Sequence, residues 1–445
     1  MNIIQIEDKN LSHYSYAIIS EGEMALVDPA RNPQPYYDLS NQYNAKITSV
    51  IETHPHADFV SSHLEIHKTK GAAIYVSKLL GAEYPHKGFD EGDIIKVGKV
   101  SLKAINTPGH SPDSICVIAI DEEGNYEAVF TGDTLFIGDC GRPDLRESAG
   151  ALTAKREMLA KDMYHSLRDK LMILPENVQV YPAHGAGSLC GKGLSDKNTS
   201  TIGIEKASNW CLQEMNEEDF VKSLLENQPF VPKYFSFDVA VNKRGSDNFL
   251  ESINRISIDE NMPSQLKDYI IVDTRNEEEY KAGFRKNSVN LMVDGPFETW
   301  LGSIVAPGER FYLIAKSKDV AQMLIQRAAK IGYEQQIESA FVVNEIKGEK
   351  ISKPDVEYFK NSTNDFTVMD IRNPTEAKDG RIFEDAINIP LFELRERIKD
   401  IPTDKPIIVH CASGYRSAAA TSIIKNSMPD GIEVFDLGEA VKKFK

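Results

Sequence analysis

The back half of the sequence contains an internal repeat, which constrains the fold more than any other feature. The segment IIVDTRNEEEYKAGFRKNSVNL (270–291) matches TVMDIRNPTEAKDGRIFEDAINI (367–389) in residue order: an apolar strand, Asp, Arg, Asn, Glu, Gly, then Asn before an apolar residue. A second apolar strand follows each copy, FYLIA (311–315) and PIIVH (406–410), and each runs into a helix-like segment. Because strands that alternate with helices form parallel sheets, the repeat predicts two tandem α/β domains.

Short apolar strands also recur in the front half, and each ends at a polar or histidine-bearing turn. They are MALVD (24–28), ITSVIET (47–53), VSLKAINT (100–107), YEAVFTGD (126–133) and NVQVYPAH (177–184). A chain of 445 residues is too long for a single core and predicts about three domains. The predicted domains are 1–245, which ends in a structured connector, followed by 255–345 and 355–445, which hold the two copies of the repeat.

The charge balance limits the partners of the chain. The sequence has 51 Lys and Arg against 67 Asp and Glu, a formal charge of −16, which argues against nucleic acid or an anionic membrane as a general partner. The N-terminus MNIIQIEDKN has neither a basic start nor an apolar core, and no stretch approaches the roughly 18 apolar residues of a membrane span. These features predict a cytoplasmic protein, and five scattered cysteines predict reduced thiols.

Metal-binding residue types collect at the strand ends of the front half. They are His54, His56 and Asp58 in THPHADF, His110 in TPGHSPDS, Asp133 in FTGDTLF and His184 in YPAHGAG. Histidines and carboxylates from separate strand ends, each beside a Gly or Pro turn, are what a transition-metal site needs. These ligands suit zinc, iron or manganese, so their chemistry predicts a metal centre and leaves the metal open.

On these residues the front domain resembles the metallo-β-lactamase fold, an αβ/βα sandwich whose strand-end loops hold metal. Hydrolases of that fold usually read HxHxDH, whereas this sequence has Phe59 at the sixth position, which favours one metal over two. Within the fold the sequence resembles the persulfide dioxygenases. That resemblance implies one iron(II) per chain held by His54, His110 and Asp133, the facial triad of non-heme iron oxygenases, with zinc as the alternative.

The same resemblance places further residues around the metal. It implies a second layer of side chains, or a second metal site, made of His56, Asp58 and His184. The segment GDCGRPDL (138–145) also resembles this branch, so Arg142 is predicted to steady an anionic thiol cofactor or a neighbouring loop, with a solvated surface arginine as the alternative. Cys190 is predicted either to accept sulfur transiently near the metal or to be an ordinary loop cysteine.

A cysteine loop follows the last apolar strand of the second copy. CASGYR (411–416) has a glycine three residues after Cys411 and an arginine five residues after it. Backbone N–H groups that point into such a loop at a helix N-terminus form an anion-binding nest, which favours a thiolate. We therefore predict that Cys411 is a nucleophile and that Arg416 binds oxyanions. The predicted sulfur-binding loop between them is Ala412, Ser413, Gly414 and Tyr415.

Together with MDIRNPTEAKDGRIFEDAINIP (369–390), this loop resembles a rhodanese domain, which carries sulfur as a cysteine persulfide. Its six residues resemble the sulfurtransferases more than relatives with a longer phosphate-binding loop. At the equivalent place the first copy reads IAKSKDVA (314–321), with Ala315 or Lys316 where a cysteine would be. The resemblance therefore implies that the first copy is an inactive rhodanese-like domain and that the second is active.

Over its whole length the sequence resembles the bacterial fusions of persulfide dioxygenase and rhodanese that detoxify sulfide. The implied reactions are oxidation of a small thiol persulfide by O₂ to sulfite, and combination of sulfite with the sulfane sulfur on Cys411 to give thiosulfate. The alternatives are a dinuclear zinc thioesterase similar to glyoxalase II, fused to a sulfurtransferase, and a non-oxidising sulfur carrier. No motif selects the thiol, and the resemblance implies a homo-oligomer, either a dimer or a tetramer.

Overall fold

The chain forms two structural units. The computed structural model describes residues 1–145, 156–429 and 431–444. One unit consists of Met1–Ser252 with Ala329–Gly332, and the other of Ile253–Ala328 with Tyr333–Lys445. Both copies of the repeat fall within the second unit, so the predicted division into three domains stays a prediction.

Two six-stranded sheets build the first unit. The first sheet and its helices comprise β1 (Asn2–Asp8), β2 (His13–Ser20), β3 (Glu23–Val27), α1 (Gln34–Gln42), β4 (Lys46–Ile51), α2 (His63–Lys70), β5 (Ala73–Val76) and β6 (Lys87–Gly88), with the strands in chain order. The second sheet has the order β12-β11-β10-β9-β8-β7. From β7 onward the elements along the chain are β7 (Ile94–Val97), β8 (Val100–Asn106), β9 (Ile115–Ile120), β10 (Tyr126–Gly132), α3 (Arg156–His165), β11 (Gln179–Pro182), β12 (Ser200–Thr201), α4 (Ile202–Ser208), α5 (Glu217–Leu225), α6 (Phe235–Arg244) and α7 (Phe249–Asn254), the last of which crosses into the second unit.

Strand β9 shows why the two sheets stack with helices outside them. Successive strand side chains point to opposite faces, and β9 is apolar on both. Ile115 and Val117 join a buried cluster with Tyr16 and Ile18 of the first sheet, whereas Cys116 and Ile118 pack with helix α3 and its neighbours. Helices α1 and α2 cover the outer face of the first sheet. The layers are therefore helix, sheet, sheet, helix.

Two parallel sheets form the second unit. The first copy of the repeat gives β14 (Ile270–Asp273), α8 (Glu277–Ala282), β15 (Ser288–Asn290), α9 (Phe297–Ile304), β16 (Phe311–Ala315), α10 (Lys318–Lys330) and β17 (Ile337–Val342), preceded by β13 (Ile258–Asp259). The second gives α11 (Val356–Asn361), β18 (Thr367–Asp370), α12 (Pro374–Asp379), β19 (Ile387–Asn388), β20 (Ile407–His410), α13 (Tyr415–Ser427) and β21 (Val434–Asp436). The orders are β13-β17-β16-β14-β15 and β21-β20-β18-β19, so the two copies share one topology.

Residues shared by the two copies build the same local structure in each. Arg275 forms a buried ion pair with Asp273 at 2.6 Å, and Arg372 pairs with Asp370 at the same distance. In each copy an asparagine, Asn290 or Asn388, donates its side-chain N–H groups to the carbonyls of both members of that pair. A buried charge pair needs such additional hydrogen bonds, which explains why the motif recurs as a set.

The sheet register identifies the residue of the first copy that corresponds to Cys411. Asp273 lies opposite Ile314, and the equivalent Asp370 lies opposite His410. The next residues along the chain are Ala315 and Cys411. Of the two residues considered from the sequence, Ala315 therefore occupies the cysteine position.

The predicted fold class is confirmed. The first unit is an α/β sandwich of two stacked sheets with helices outside them, and the second unit holds two parallel α/β sheets. Across the described ranges, no helix is both long enough and apolar enough to cross a membrane.

Candidate active sites

Three predicted metal ligands meet at one buried centre of the first unit. His54, His110 and Asp133 each place a ligand atom within 4.8 Å of the others. Asp133 Oδ2 lies 3.5 Å from His110 Nε2 and 3.8 Å from His54 Nε2. These separations exceed a hydrogen bond, whereas two atoms each about 2.1 Å from one ion lie about 3.0 to 3.4 Å apart. The donor set therefore fits a metal ion after a small contraction.

The strand arrangement explains why residues so far apart in sequence converge. Strands β10 and β11 are parallel neighbours, so the residues that follow them, Asp133 and His184, emerge at the same sheet edge. His184 Nε2 lies 3.5 Å from Asp133 Oδ1. The backbone N–H of Ile115 in the second sheet donates to Thr53 O at 2.9 Å, which brings the end of β4 to the same place. His54 follows directly.

Burial disfavours the charged form of Asp133 when no cation is bound. Burial, with the nearby Asp58 carboxylate, raises the pKa of Asp133 to about 6 despite the opposing effect of His184. Asp133 is 2% exposed, and His54 and His110 are equally buried. A bound divalent ion would stabilise the carboxylate that burial disfavours.

The His56 side chain contacts the carboxylates of Asp28 and Glu52 beside the metal centre. Its Nε2 lies 3.1 Å from Asp28 Oδ1 and 3.6 Å from Glu52 Oε2. Burial opposes a charge on His56, but Asp28 and Glu52 outweigh it and raise the pKa of His56 to about 9. Asp28 also accepts hydrogen bonds from Thr53 N and Oγ1, beside His54. This arrangement supports the prediction that His56 orients the centre, and that role stays a prediction.

His56 also belongs to a second group that could hold a metal. One ligand atom each of His56, Asp58 and His184 lies within 4.8 Å of the others, and Asp58 Oδ2 is 3.4 Å from His184 Nε2. The Phe59 ring fills the space beside this group. Its centroid lies 3.9 Å from the His13 ring and 4.3 Å from the His56 ring. An apolar ring, which offers no ligand atom, therefore packs against His56 of this group.

Arg142 is buried and holds loops together. It is 1% exposed, so the alternative of a solvated surface arginine is wrong. Its guanidinium forms a bidentate pair with Asp144 at 2.7 and 2.6 Å and donates to Leu189 O at 3.2 Å. The preceding Gly141 packs so closely that a Cβ there would lie 1.9 Å from Asp133 O. The geometry favours a loop-steadying role, and contact with a substrate stays a prediction.

Cys190 lies beside the metal centre. Its Sγ, an Asp133 oxygen and a His184 nitrogen all lie within 4.8 Å of one another. Its backbone is held from both sides, because its N–H donates to Ser188 Oγ and its carbonyl accepts from Arg142 N. Burial, together with the Asp58 and Asp133 carboxylates, raises the pKa of Cys190 well above its usual value. Its predicted role as a sulfur acceptor stays a prediction, now with a position that permits it.

Several buried residues around these loops were missed by sequence reasoning. Asp28 ends one of the strands that was recognised, and its position beside a Pro turn was the available signal. Glu52 and His13 carried no spacing signal. Asp139, Cys140 and Cys211 form a further buried group, in which the Asp139 carboxylate accepts from Lys192 N, Gly193 N and Trp210 Nε1. The last group fixes the loop just after Cys190.

The cysteine loop of the second copy has the predicted position between strand and helix. Cys411 directly follows β20, α13 begins at Tyr415, and the Gly414 N–H donates to Cys411 Sγ at 3.1 Å. Arg416 differs from expectation because it already has an anionic partner. Its Nη1 and Nη2 donate to Glu376 at 2.6 and 2.8 Å. Oxyanion binding by Arg416 stays a prediction, and it would require the guanidinium to share this carboxylate.

Comparison with known proteins follows the same division of the chain. Residues 9–184 match the metallo-beta-lactamase superfamily and residues 355–445 match the rhodanese-like domain. The chain is 30% identical over 222 residues to the mitochondrial persulfide dioxygenase ETHE1 of Mus musculus, covering 49% of this chain and 77% of that protein. It is 33% identical over 176 residues to the cytoplasmic hydroxyacylglutathione hydrolase of Arabidopsis thaliana, covering 39% of this chain and 63% of that protein.

A solved structure matches a larger share of the chain. The metallo-beta-lactamase from Staphylococcus aureus subsp. aureus COL is 32% identical, with a TM-score of 0.70, and the match covers 76% of this chain and 98% of that one. The chain belongs to the metallo-beta-lactamase superfamily, and its last part is a rhodanese-like domain.

Proposed function

We propose that this protein is an iron(II)-dependent persulfide dioxygenase joined to a rhodanese that converts the sulfite product to thiosulfate. The observation that carries the first half is the buried set of two histidines and one aspartate, with Phe59 in place of a further ligand. The similarity to a persulfide dioxygenase over most of that relative's length supports it. The metal ligands are His54, His110 and Asp133.

The overall oxidation is RSSH + O₂ + H₂O → RSH + SO₃²⁻ + 2H⁺, in which the sulfane sulfur is oxidised and O₂ is reduced. Bound iron(II) supplies the redox chemistry and the Lewis acidity for this reaction. The chain supports the site from outside the ligands: Asp28 holds His56 and also Thr53, whose hydroxyl contacts His54 Nδ1 at 3.0 Å, and Arg142 holds the loop of Cys190. Cys190 offers a neutral thiol beside the centre, where it can donate a hydrogen bond to an anionic sulfur.

The second half transfers sulfur at Cys411. The Cys411 thiolate first attacks the outer sulfur of a thiol persulfide, RSSH, and RSH leaves. Sulfite then attacks the outer sulfur of the Cys411 persulfide, the bond from that sulfur to Sγ breaks, and thiosulfate leaves with the new S–S bond while the Cys411 thiolate is restored. The Gly414 N–H stabilises the departing sulfur, which it contacts at 3.1 Å. Ala315 leaves the first copy without a nucleophile, so we assign the first copy a scaffold role. We further propose that the protein is a cytoplasmic homo-oligomer that acts on a small thiol persulfide.

A dinuclear zinc thioesterase is the second candidate for the front domain. The group of His56, Asp58 and His184 and the similarity to a hydroxyacylglutathione hydrolase favour it. A non-oxidising sulfur carrier would combine the same Cys411 chemistry with a front domain that binds metal without turnover. Phe59 argues against the thioesterase because it offers no ligand atom at the sequence position where hydrolases of this fold usually have a histidine.

The proposed function is tested by metal analysis and oxygen uptake on the full chain purified without oxygen. We expect one iron per chain and O₂ consumption that depends on a low-molecular-weight persulfide, with one O₂ consumed for each molecule of sulfite or thiosulfate formed. Two zinc ions per chain with thioester hydrolysis and no O₂ uptake would instead establish the hydrolase. Persulfide formation on Cys411 without steady O₂ uptake would establish the carrier.

Replacing Phe59 by His is expected to create a second metal site. The new imidazole would join Asp58 and His184, and titration with zinc should give close to two ions per chain where the wild-type protein binds one. Phe59→Leu is the matched control, because it removes the ring without adding a ligand and should stay at one ion. A Phe59→His protein that still binds one ion would contradict the view that Phe59 determines the metal number.

A further inference from the structure

The side chain of Tyr415, in the cysteine loop, packs against the first copy of the repeat. Its hydroxyl donates at 3.1 Å to Met292 O, which belongs to the first copy, whereas Tyr415 belongs to the second. Its ring lies against Gly295 so closely that a Cβ at residue 295 would be 2.3 Å from Tyr415 Cε2. Burial raises the pKa of Tyr415, so the phenol remains a hydrogen-bond donor at neutral pH.

The segment 292–295, which contacts Tyr415 and which we call the seat of Tyr415, is fixed by a buried arginine. Arg327, on helix α10, donates to Val293 O at 2.8 Å and to Gly295 O at 2.9 Å. The same guanidinium pairs with Glu298 at 2.8 and 2.6 Å. Because a bidentate pair and two carbonyls use the planar fork of the arginine, the segment that receives Tyr415 is held rigidly.

Helix α13 is also attached farther along its length. Asn290 N donates to Ser422 Oγ at 3.0 Å, and Asn287 N donates to Asn426 Oδ1 at 2.7 Å. Asn426 Nδ2 returns a hydrogen bond to Ser288 O at 2.7 Å. The helix that begins at the cysteine loop therefore contacts β15 and the residues that flank it in the first copy, from its first residue to its last turn.

The anchor adjoins the reactive sulfur. Tyr415 is the residue after Gly414, whose N–H contacts Cys411 Sγ. We propose that the first copy, although it lacks a nucleophile, positions the cysteine loop of the second through the seat of Tyr415 on Met292 and Gly295, and so sets the reactivity of Cys411. Tyr415 and Gly295 are thus positioning residues for sulfur transfer. This inference rests on the proposed sulfurtransferase function of Cys411.

The test uses Tyr415→Phe and Gly295→Ala in the full chain. The first removes the hydrogen bond and keeps the ring, and the second displaces the ring. Tyr333→Phe is the matched control, because it removes another buried tyrosine-to-carbonyl hydrogen bond in the same unit, from Tyr333 OH to Val305 O at 3.0 Å. We would measure kcat and KM for transfer from thiosulfate to cyanide, and the pH dependence of Cys411 alkylation by iodoacetamide located by mass spectrometry.

Loss of the anchor should lower kcat about three- to tenfold, with KM changed by less than about twofold, since the loss of one hydrogen bond moves the reacting atom rather than the binding site. At neutral pH Cys411 should be alkylated more slowly in both anchor variants, because the Gly414 N–H that contacts Sγ moves with the loop, and at the wild-type rate in Tyr333→Phe. Wild-type alkylation behaviour in both anchor variants would overturn the proposal. If the wild-type protein transfers no sulfur, the proposed function fails, but the alkylation profiles still decide whether the seat tunes Cys411.

Discussion

Replacing His110 by Ala is expected to reduce persulfide-dependent O₂ uptake by more than about 100-fold, because loss of even an outer partner of a metal ligand costs 10- to 100-fold. His110 contributes one of three ligands, and its Nε2 lies 3.5 Å from Asp133 Oδ2. Iron content should fall in parallel, measured by mass spectrometry on protein purified without oxygen.

The control for this variant is His165→Ala. His165 is exposed and pairs with Asp169 and Glu217 at the surface of the same unit, so its removal should leave iron content and O₂ uptake unchanged. In the His110→Ala protein, sulfur transfer from thiosulfate to cyanide should persist, because Cys411 belongs to the other unit. Full iron occupancy in His110→Ala would show that this histidine is not a ligand.

The sequence predicted the metal-binding residue types because they sit at the ends of recognisable strands. A strand that ends at a Gly or Pro turn presents its next side chain in the loop at the end of the sheet. In a sandwich, several of these loops lie at the same end of the two sheets. Asp28 and Glu52 escaped prediction for a physical reason. Asp28 pairs with His56 from a distant part of the chain, and Glu52 pairs with it at a spacing of four residues outside any helix, so neither contact follows from a helical pattern in the sequence.

The cysteine loop shows the same limit. Its position after β20 and before α13 followed from the repeat and from the Gly-containing turn. The bidentate pairing of Arg416 with Glu376 did not, although Glu376 is one of the residues shared by the two copies. In the first copy the equivalent Glu279 pairs with Lys316 at 2.6 Å. A repeat identifies shared residues, but only the folded chain shows which cation each carboxylate meets.

Replacing Cys411 by Ser should abolish enzymatic thiosulfate formation while O₂ uptake continues and sulfite accumulates. A serine hydroxyl forms no persulfide, so sulfite meets no sulfane sulfur on the enzyme. The substitution is close to isosteric, and Gly414 N can donate to the serine Oγ as it does to Sγ, so the loop should keep its shape. Sulfite and thiosulfate would be measured by ion chromatography during early turnover, with the enzyme-free reaction subtracted.

Cys116→Ala provides the comparison for this variant, because it removes another buried thiol that packs in the core of the first unit. It should leave the ratio of thiosulfate to sulfite at the wild-type value. An unchanged ratio in Cys411→Ser would contradict the coupled reaction and leave the rhodanese-like domain with a separate task. A loss of both products would point instead to a requirement for Cys411 in the oxidation itself, which the separate iron centre does not lead us to expect.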